Sequence, residues 1–235
     1  AFYGSDMRGW VKSIVPANSI LPPFDRYGPR SREIGLRGTL KFDPTDAFSA
    51  RLKVSYGNVK GAAANDNAQI VSCPAGISQL VGIVDDCKAD NRNNRTDNIG
   101  TVFPPYDARF DDGRTYSKAS QILVGLEMNY KLSDTIDLTS VTGFYRSRYE
   151  NLDQFGRYPV VPVVQLGVLG LPMVAAYTLY KNREVSQELR VSSSFDGPLN
   201  FTVGGIYSDT RASFDTHTIF NLSSPRELID TLIGQ

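Results

Sequence analysis

Apolar and polar residues alternate with a period of two through four segments of this chain. In residues 48–56, Phe48, Ala50, Leu52, Val54 and Tyr56 fall on one side of an extended strand, and Ser49, Arg51, Lys53 and Ser55 on the other. Successive side chains of a strand point to opposite faces, so the pattern predicts a strand with one apolar and one polar face. Residues 33–42 repeat it, with Ile34, Leu36, Leu40 and Phe42 against Arg37, Thr39 and Lys41. Residues 121–132 set Ile122, Val124, Leu126, Met128, Tyr130 and Leu132 against Gln121, Glu127, Asn129 and Lys131, with Leu123 out of place. In residues 185–195, Leu189, Val191 and Phe195 oppose Glu188, Arg190 and Ser192. The segment 136–149 changes parity near Ser140 and Val141, which leaves its faces unassigned.

The segments join in pairs. "DPTDA", "SDT" and "DGPLN" are short and rich in turn-forming residues, so hairpins are predicted over 33–59, 121–149 and 185–210. The links between hairpins are long, 60–120 and 150–184. Short turns at one end of a sheet and long loops at the other are the pattern of transmembrane β-barrels, with periplasmic turns and extracellular loops. Asp46, Asp134 and Gly197 are then expected on the periplasmic side, Asn93 and Leu169 outside. Strands of about ten residues suit a tilted crossing of the hydrocarbon. Aromatics bracket the aliphatic positions, with Phe42, Phe48, Phe195 and Phe201 beside the turns and Tyr56, Tyr145, Tyr149 and Tyr207 at the far ends. Such girdles mark a bilayer's two interfaces.

Composition fits. The 235 residues carry 25 basic and 25 acidic side chains, a balance that argues against a nucleic-acid partner. One histidine leaves little for histidine-based metal or acid–base chemistry, and 20 Gly with 13 Pro suit an all-β chain with many loops. Mean hydropathy is −0.25, as expected where half of each spanning strand is polar. Cys73 and Cys87 sit in one loop-like segment, and a disulfide between them is expected in an oxidising compartment; two free thiols are the alternative. The chain begins "AFYGSDMRGW" without a basic-then-apolar leader, so a mature chain or an internal piece is expected.

"LRGTLKFDPTDAFSARLKVSY", "LTSVTGFYRSRYENLDQFGRY" and "VSQELRVSSSFDGPLNFTVGGIYSD" resemble barrel segments of TonB-dependent outer-membrane receptors of Gram-negative bacteria. The resemblance covers most of residues 33–210. It implies a 22-stranded barrel in the outer membrane, a plug domain inside it, and uptake of a scarce substrate driven by an inner-membrane energy-coupling complex. Plug and coupling box are absent from these residues, and six strands do not make such a barrel. The expectation is therefore an antiparallel meander of about six strands within a larger barrel, with lipid and the remainder of the same receptor chain as partners. Its exposed edges are expected at 33–42 and 201–210, unless weak candidate strands at 8–15 and 213–222 cover them.

Candidate chemistry is sparse. Trp10, Tyr106 and Tyr116 are the loop aromatics proposed to stack on a sugar or aromatic substrate. Asp85, Asp86, Asp90, Asp107, Asp111 and Asp112 are spread through the longest loop without EF-hand spacing and read as a solvated face. The apolar run 159–180 holds Pro159, Pro162 and Pro172, which argue for a folded loop over a spanning helix. Residues 211–235 are expected to be a loop with a short helix: Ser224 caps "SPRELIDTLIG" and Glu227 completes a capping box. Phosphate-loop, HExxH and CxxC motifs are missing, so neither enzyme nor cofactor is expected. The competing functions are a structural or interaction scaffold in a surface complex, a small passive barrel, and a soluble β-sandwich.

Overall fold

The structure, a computed structural model, describes residues 1–15, 22–63, 69, 71–73, 87–93, 96–99, 107–110, 112–155 and 173–221. The chain is all-β. Its main sheet has seven strands: β1 (Phe2–Met7), β4 (Ser31–Thr45), β5 (Phe48–Gly61), β7 (Tyr116–Ser133), β8 (Ile136–Gln154), β9 (Met173–Ser193) and β10 (Thr202–Asn221). They lie side by side in that order, every pair antiparallel. The sheet is not closed: β1 and β10 are its two edges. A small second sheet joins β3 (Tyr27–Gly28), β2 (Val11–Ser13) and β6 (Arg92–Asn93), with β2 and β6 parallel.

The three hairpins form as expected, each turn tied by its own polar side chains. Thr45 Oγ1 accepts the Phe48 N–H at 3.1 Å, next to a register shift between Phe42 and Thr45. Ser133 Oγ accepts the Thr135 N–H at 3.3 Å. In the third turn Asn200 grips both backbone groups of Phe195, accepting its N–H at 2.6 Å and donating to its carbonyl at 3.2 Å. These local bonds satisfy backbone groups that the ladder leaves over at the turn.

Four expectations need correction. The strands overrun their expected limits at the loop end, so the long connections are shorter than 60–120 and 150–184. Residues 211–221, expected as loop, continue β10, which takes in residues 213–221 of the weak candidate strand at 213–222. The candidate strand at 8–15 shrinks to β2, in the small sheet. Phe2–Met7 is instead the seventh strand and covers the edge expected at 33–42, pairing Phe2 with Leu36 and Met7 with Ser31. The segment whose faces were left unassigned, β8, pairs with β7 without irregularity from Asp137 to Leu152, so the parity change near Ser140 reflects a change in residue type and not a bulge. The helix expected after Ser224 and residues 159–172 of the apolar run lie outside the described residues.

Gly9 fixes how the small sheet meets the chain. Its φ is +86°, and a Cβ there would fall 2.4 Å from the Gly28 carbonyl carbon. No other residue type fits that approach.

Candidate functional site

The register places the even-numbered residues of β4, β5, β7 and β8 on one face with the odd-numbered residues of β9 and β10. Near the turns this face is dominated by apolar side chains. Leu40, Phe42, Leu189 and Val203 are each more than half exposed, at 65, 59, 52 and 66%. Toward the loops the apolar stretch ends at Ile34 on β4, Tyr56 on β5, Ile122 on β7, Phe144 on β8, Val185 on β9 and Tyr207 on β10. The next residues on the same face are Arg32, Asn58, Ser120, Arg146, Arg183 and Asp209.

That boundary does not follow the hydrogen-bonded rungs. Ile34 pairs with Asn58, Ile122 with Arg146 and Val185 with Asp209, so it descends about six residues over five strand-to-strand steps. At ~3.3 Å per residue and ~4.8 Å between strands, about 1.2 residues per strand is a strand tilt of about 40° from the normal of the boundary. The turn-side edge shifts the same way. It moves from Phe48, level with Leu138, to Ile136, level with Ser193, and on to Phe201 and Phe195, whose rings lie 6.1 Å apart. The apolar surface is a parallel-sided band crossing the strands obliquely, interrupted on β8 and β9 by a polar group in which Thr142 Oγ1 donates to Gln187 Oε1 at 2.6 Å and Gln187 Nε2 donates to Ser140 Oγ at 2.9 Å.

Two of the expected far-end aromatics, Tyr56 and Tyr207, sit at the upper edge of this band. Tyr145 and Tyr149 do not, because their odd numbering on β8 turns them to the opposite face. That face is polar beside the band: Arg51 Nη2 lies 2.6 Å from Glu127 Oε2, and Arg190 lies 3.3 Å from Glu188. Asn129 donates to Glu127 and accepts from Thr139 Oγ1 at 2.9 Å.

Above the band, loop segments cover the same face. Ile99 and Phe110, both fully buried, pack on Leu152, Ala175 and Tyr177. The turn 107–110 is held by charge as well: Arg109 reaches Asp107 at 2.8 Å and His217 Nε2 at 2.5 Å, and Asp215 lies 2.9 Å from His217. The hydrogen bond from Arg109 holds the Asp107 carboxyl below the usual range. Buried Gln154 donates from Nε2 to the Thr96 carbonyl.

A cleft of about 570 Å³ opens where the small sheet meets the loop ends of β1, β4 and β5. Arg30 and Arg114 both grip Asp25, at 2.6 and 2.7 Å, and Arg114 also lies 3.6 Å from Asp97. Burial pushes the Asp97 carboxyl up, against the pull of the Phe24 N–H and Arg114. Its cations and acids largely satisfy one another, and the cleft offers a polar ligand a mixed-charge wall.

Of the aromatics singled out in the sequence, Tyr116 lines the cleft, as the first residue of β7 and not in a loop. Its hydroxyl donates to Glu150 at 2.9 Å, and the Lys118 ammonium sits 3.9 Å from its ring centre. Trp10 is 59% exposed and, among the described residues, outside the cleft wall. Tyr106 lies outside the described residues, so no stacking trio is assembled. Cys73 and Cys87 are at disulfide distance and paired, with Cα atoms 5.8 Å apart. Among the described residues no group of His, Cys, Asp or Glu is arranged for a metal. The Arg109–His217 and Arg114–Asp25 contacts were invisible in sequence, because they join residues 108 and 89 positions apart. No family model, curated protein or solved structure matches the chain.

Proposed function

We propose that this chain is part of an outer-membrane β-barrel receptor of the TonB-dependent kind, which captures a scarce substrate at the cell surface and imports it with energy from an inner-membrane complex. The oblique apolar band carries the reading. A sandwich buries its apolar face under a second sheet, with no reason for that face to end along a line inclined to the ladder. A bilayer imposes a flat boundary on tilted strands, and about 40° falls within the 35–45° of outer-membrane barrels. The exposed leucines and valines then meet lipid, and the Arg51–Glu127 face looks into a wet lumen.

The open edges support membership in a larger ring. Unpaired N–H and C=O groups cost several kcal/mol each in hydrocarbon, so β1 and β10 need strands from the rest of the receptor chain. A small passive barrel would need those two strands to bond to each other. The transport part of the reading rests on the sequence resemblance. Extraction tests the membrane part. The protein should stay with outer membranes through high salt and alkaline carbonate and leave only in detergent; release by carbonate overturns the reading. Loss of substrate uptake on deleting the receptor, with uptake restored by wild type but not by a coupling-deficient receptor, separates transport from a scaffold.

A further inference from the structure

One hydrogen-bonded rung of the apolar face ends in three arginines. Arg146 on β8 is opposite Arg183 on β9, which is opposite Arg211 on β10. The next rung toward the loops adds Arg148 opposite Lys181. Like charges directly opposite on adjoining strands repel, and evolution usually avoids them. Acids relieve only part of this: Arg148 meets Glu150 at 2.9 Å and Arg211 meets Asp209 at 3.4 Å. Among the described residues Arg146, Lys181 and Arg183 have no ion pair. All five basic side chains are exposed. Arg183 also lies over the Phe144 ring at 5.9 Å, so one of the last apolar groups of the band supports the cation directly above it.

Position gives the patch its meaning. On β8 and β9 these arginines are the first residues past the apolar boundary, and on β10 Arg211 is the second. Side chains just outside a hydrocarbon layer stand among lipid headgroups. We propose that Arg146, Arg183 and Arg211, with Arg148 and Lys181, form a binding site for the phosphates of an anionic lipid in the outer leaflet. Guanidinium groups suit it, because each presents a planar fork to phosphate oxygens. The phosphates would relieve the arginine–arginine repulsion and tie β8, β9 and β10 together just above the apolar boundary. This inference rests on the membrane reading above.

The test uses the full-length receptor in vesicles of neutral phosphatidylcholine doped with a bisphosphorylated lipid, followed by native mass spectrometry of co-purified lipid. Wild type should retain the bisphosphorylated lipid well above its share of the bilayer. Arg146→Ser with Arg183→Ser should lower that enrichment about 30-fold, given ~1 kcal/mol per basic residue near a membrane surface and 1.4 kcal/mol per tenfold. Arg146→Lys with Arg183→Lys should retain most of it. Arg37→Ser with Lys53→Ser, which removes two cations of the opposite face, should leave it unchanged. Equal enrichment in the Ser and control variants overturns the site. So does displacement of the lipid by millimolar inorganic phosphate, since the patch would then hold any free anion. A receptor that fails to enter vesicles at all defeats the membrane reading instead, and the two failures are distinguishable.

Discussion

Leu52 and Leu126 stand directly opposite each other across β5 and β7, and the next pair along the same ladder is Arg51 with Glu127 on the other face. One residue of translation separates an apolar contact from an ion pair. An arginine at Leu52 or Leu126 should therefore destabilise the protein by about 2–4 kcal/mol, the cost near a bilayer midplane. Asn129→Arg, on the polar face, should cost much less. Urea titration of the receptor folded into vesicles measures both. Equal losses would mean that both faces pack against protein.

Sidedness follows from the turns. Asp46, Asp134 and Gly197 lie at the exposed tips of the three short turns, and Trp10 is exposed at the opposite end. Single cysteines at the three turn positions should resist a membrane-impermeant thiol reagent in intact cells, while Trp10→Cys should label. Surface labelling at 134 would invert the topology.

The paired cysteines close a loop with a sequence separation of 14. Unfolded, non-reduced protein should show no free thiol by titration, and reduction should weaken the loop region by about 3 kcal/mol in the chain-entropy view. Two titratable thiols would remove the bond.

Acid should loosen the 107–110 turn. Asp107 is held below the usual carboxylate range by Arg109, so its contribution is present above about pH 4 and lost as pH falls through its lowered value. Asp97 has the opposite sign. Burial raises it, so its contribution is complete below about pH 4 and lost as pH climbs through the raised value. Hydrogen exchange at the Phe110 amide, which bonds the Asp107 carbonyl at 3.1 Å, should accelerate beyond its intrinsic change in acid. Asp107→Asn should abolish that excess. Asp97→Asn should slow exchange at Thr115, whose amide bonds the Asp97 carbonyl, near neutral pH. An unchanged acid response in Asp107→Asn would show that another group governs the turn.

The sequence made the lower half of the sheet legible because the apolar side selects one parity there. Phe42 to Ile34 and Phe48 to Tyr56 alternate cleanly, and their pairing was readable from the turn between them. The signal fades where the apolar boundary is crossed. Arg146, Arg148 and Glu150 on β8, or Asp209 to His217 on β10, are polar on a face that was apolar below. Strands were therefore expected to stop near 149 and 210, when backbone pairing continues to Gln154 and Asn221. The seventh strand was missed for another reason: Phe2–Met7 is six residues long and holds only Phe2, Tyr3 and Met7 as large apolar groups. The cleft was out of reach altogether, since Asp25, Asp97 and Arg114 meet only after three separate loops converge.

The oblique boundary turns a single rung into a depth gauge. Phe2, Leu36, Tyr56, Ile122, Arg146, Arg183 and Arg211 share one line of hydrogen bonds, yet each step along it rises by about 3 Å relative to the apolar boundary, which is the membrane plane in the proposed reading. In that reading, residues bonded to one another experience different solvents, oil at one end of the line and ionic water at the other. A spin label or environment-sensitive dye moved along those seven positions would sample the interface in near-equal increments. The polarity profile of the proposed bilayer interface would then be written across the strands as well as along them.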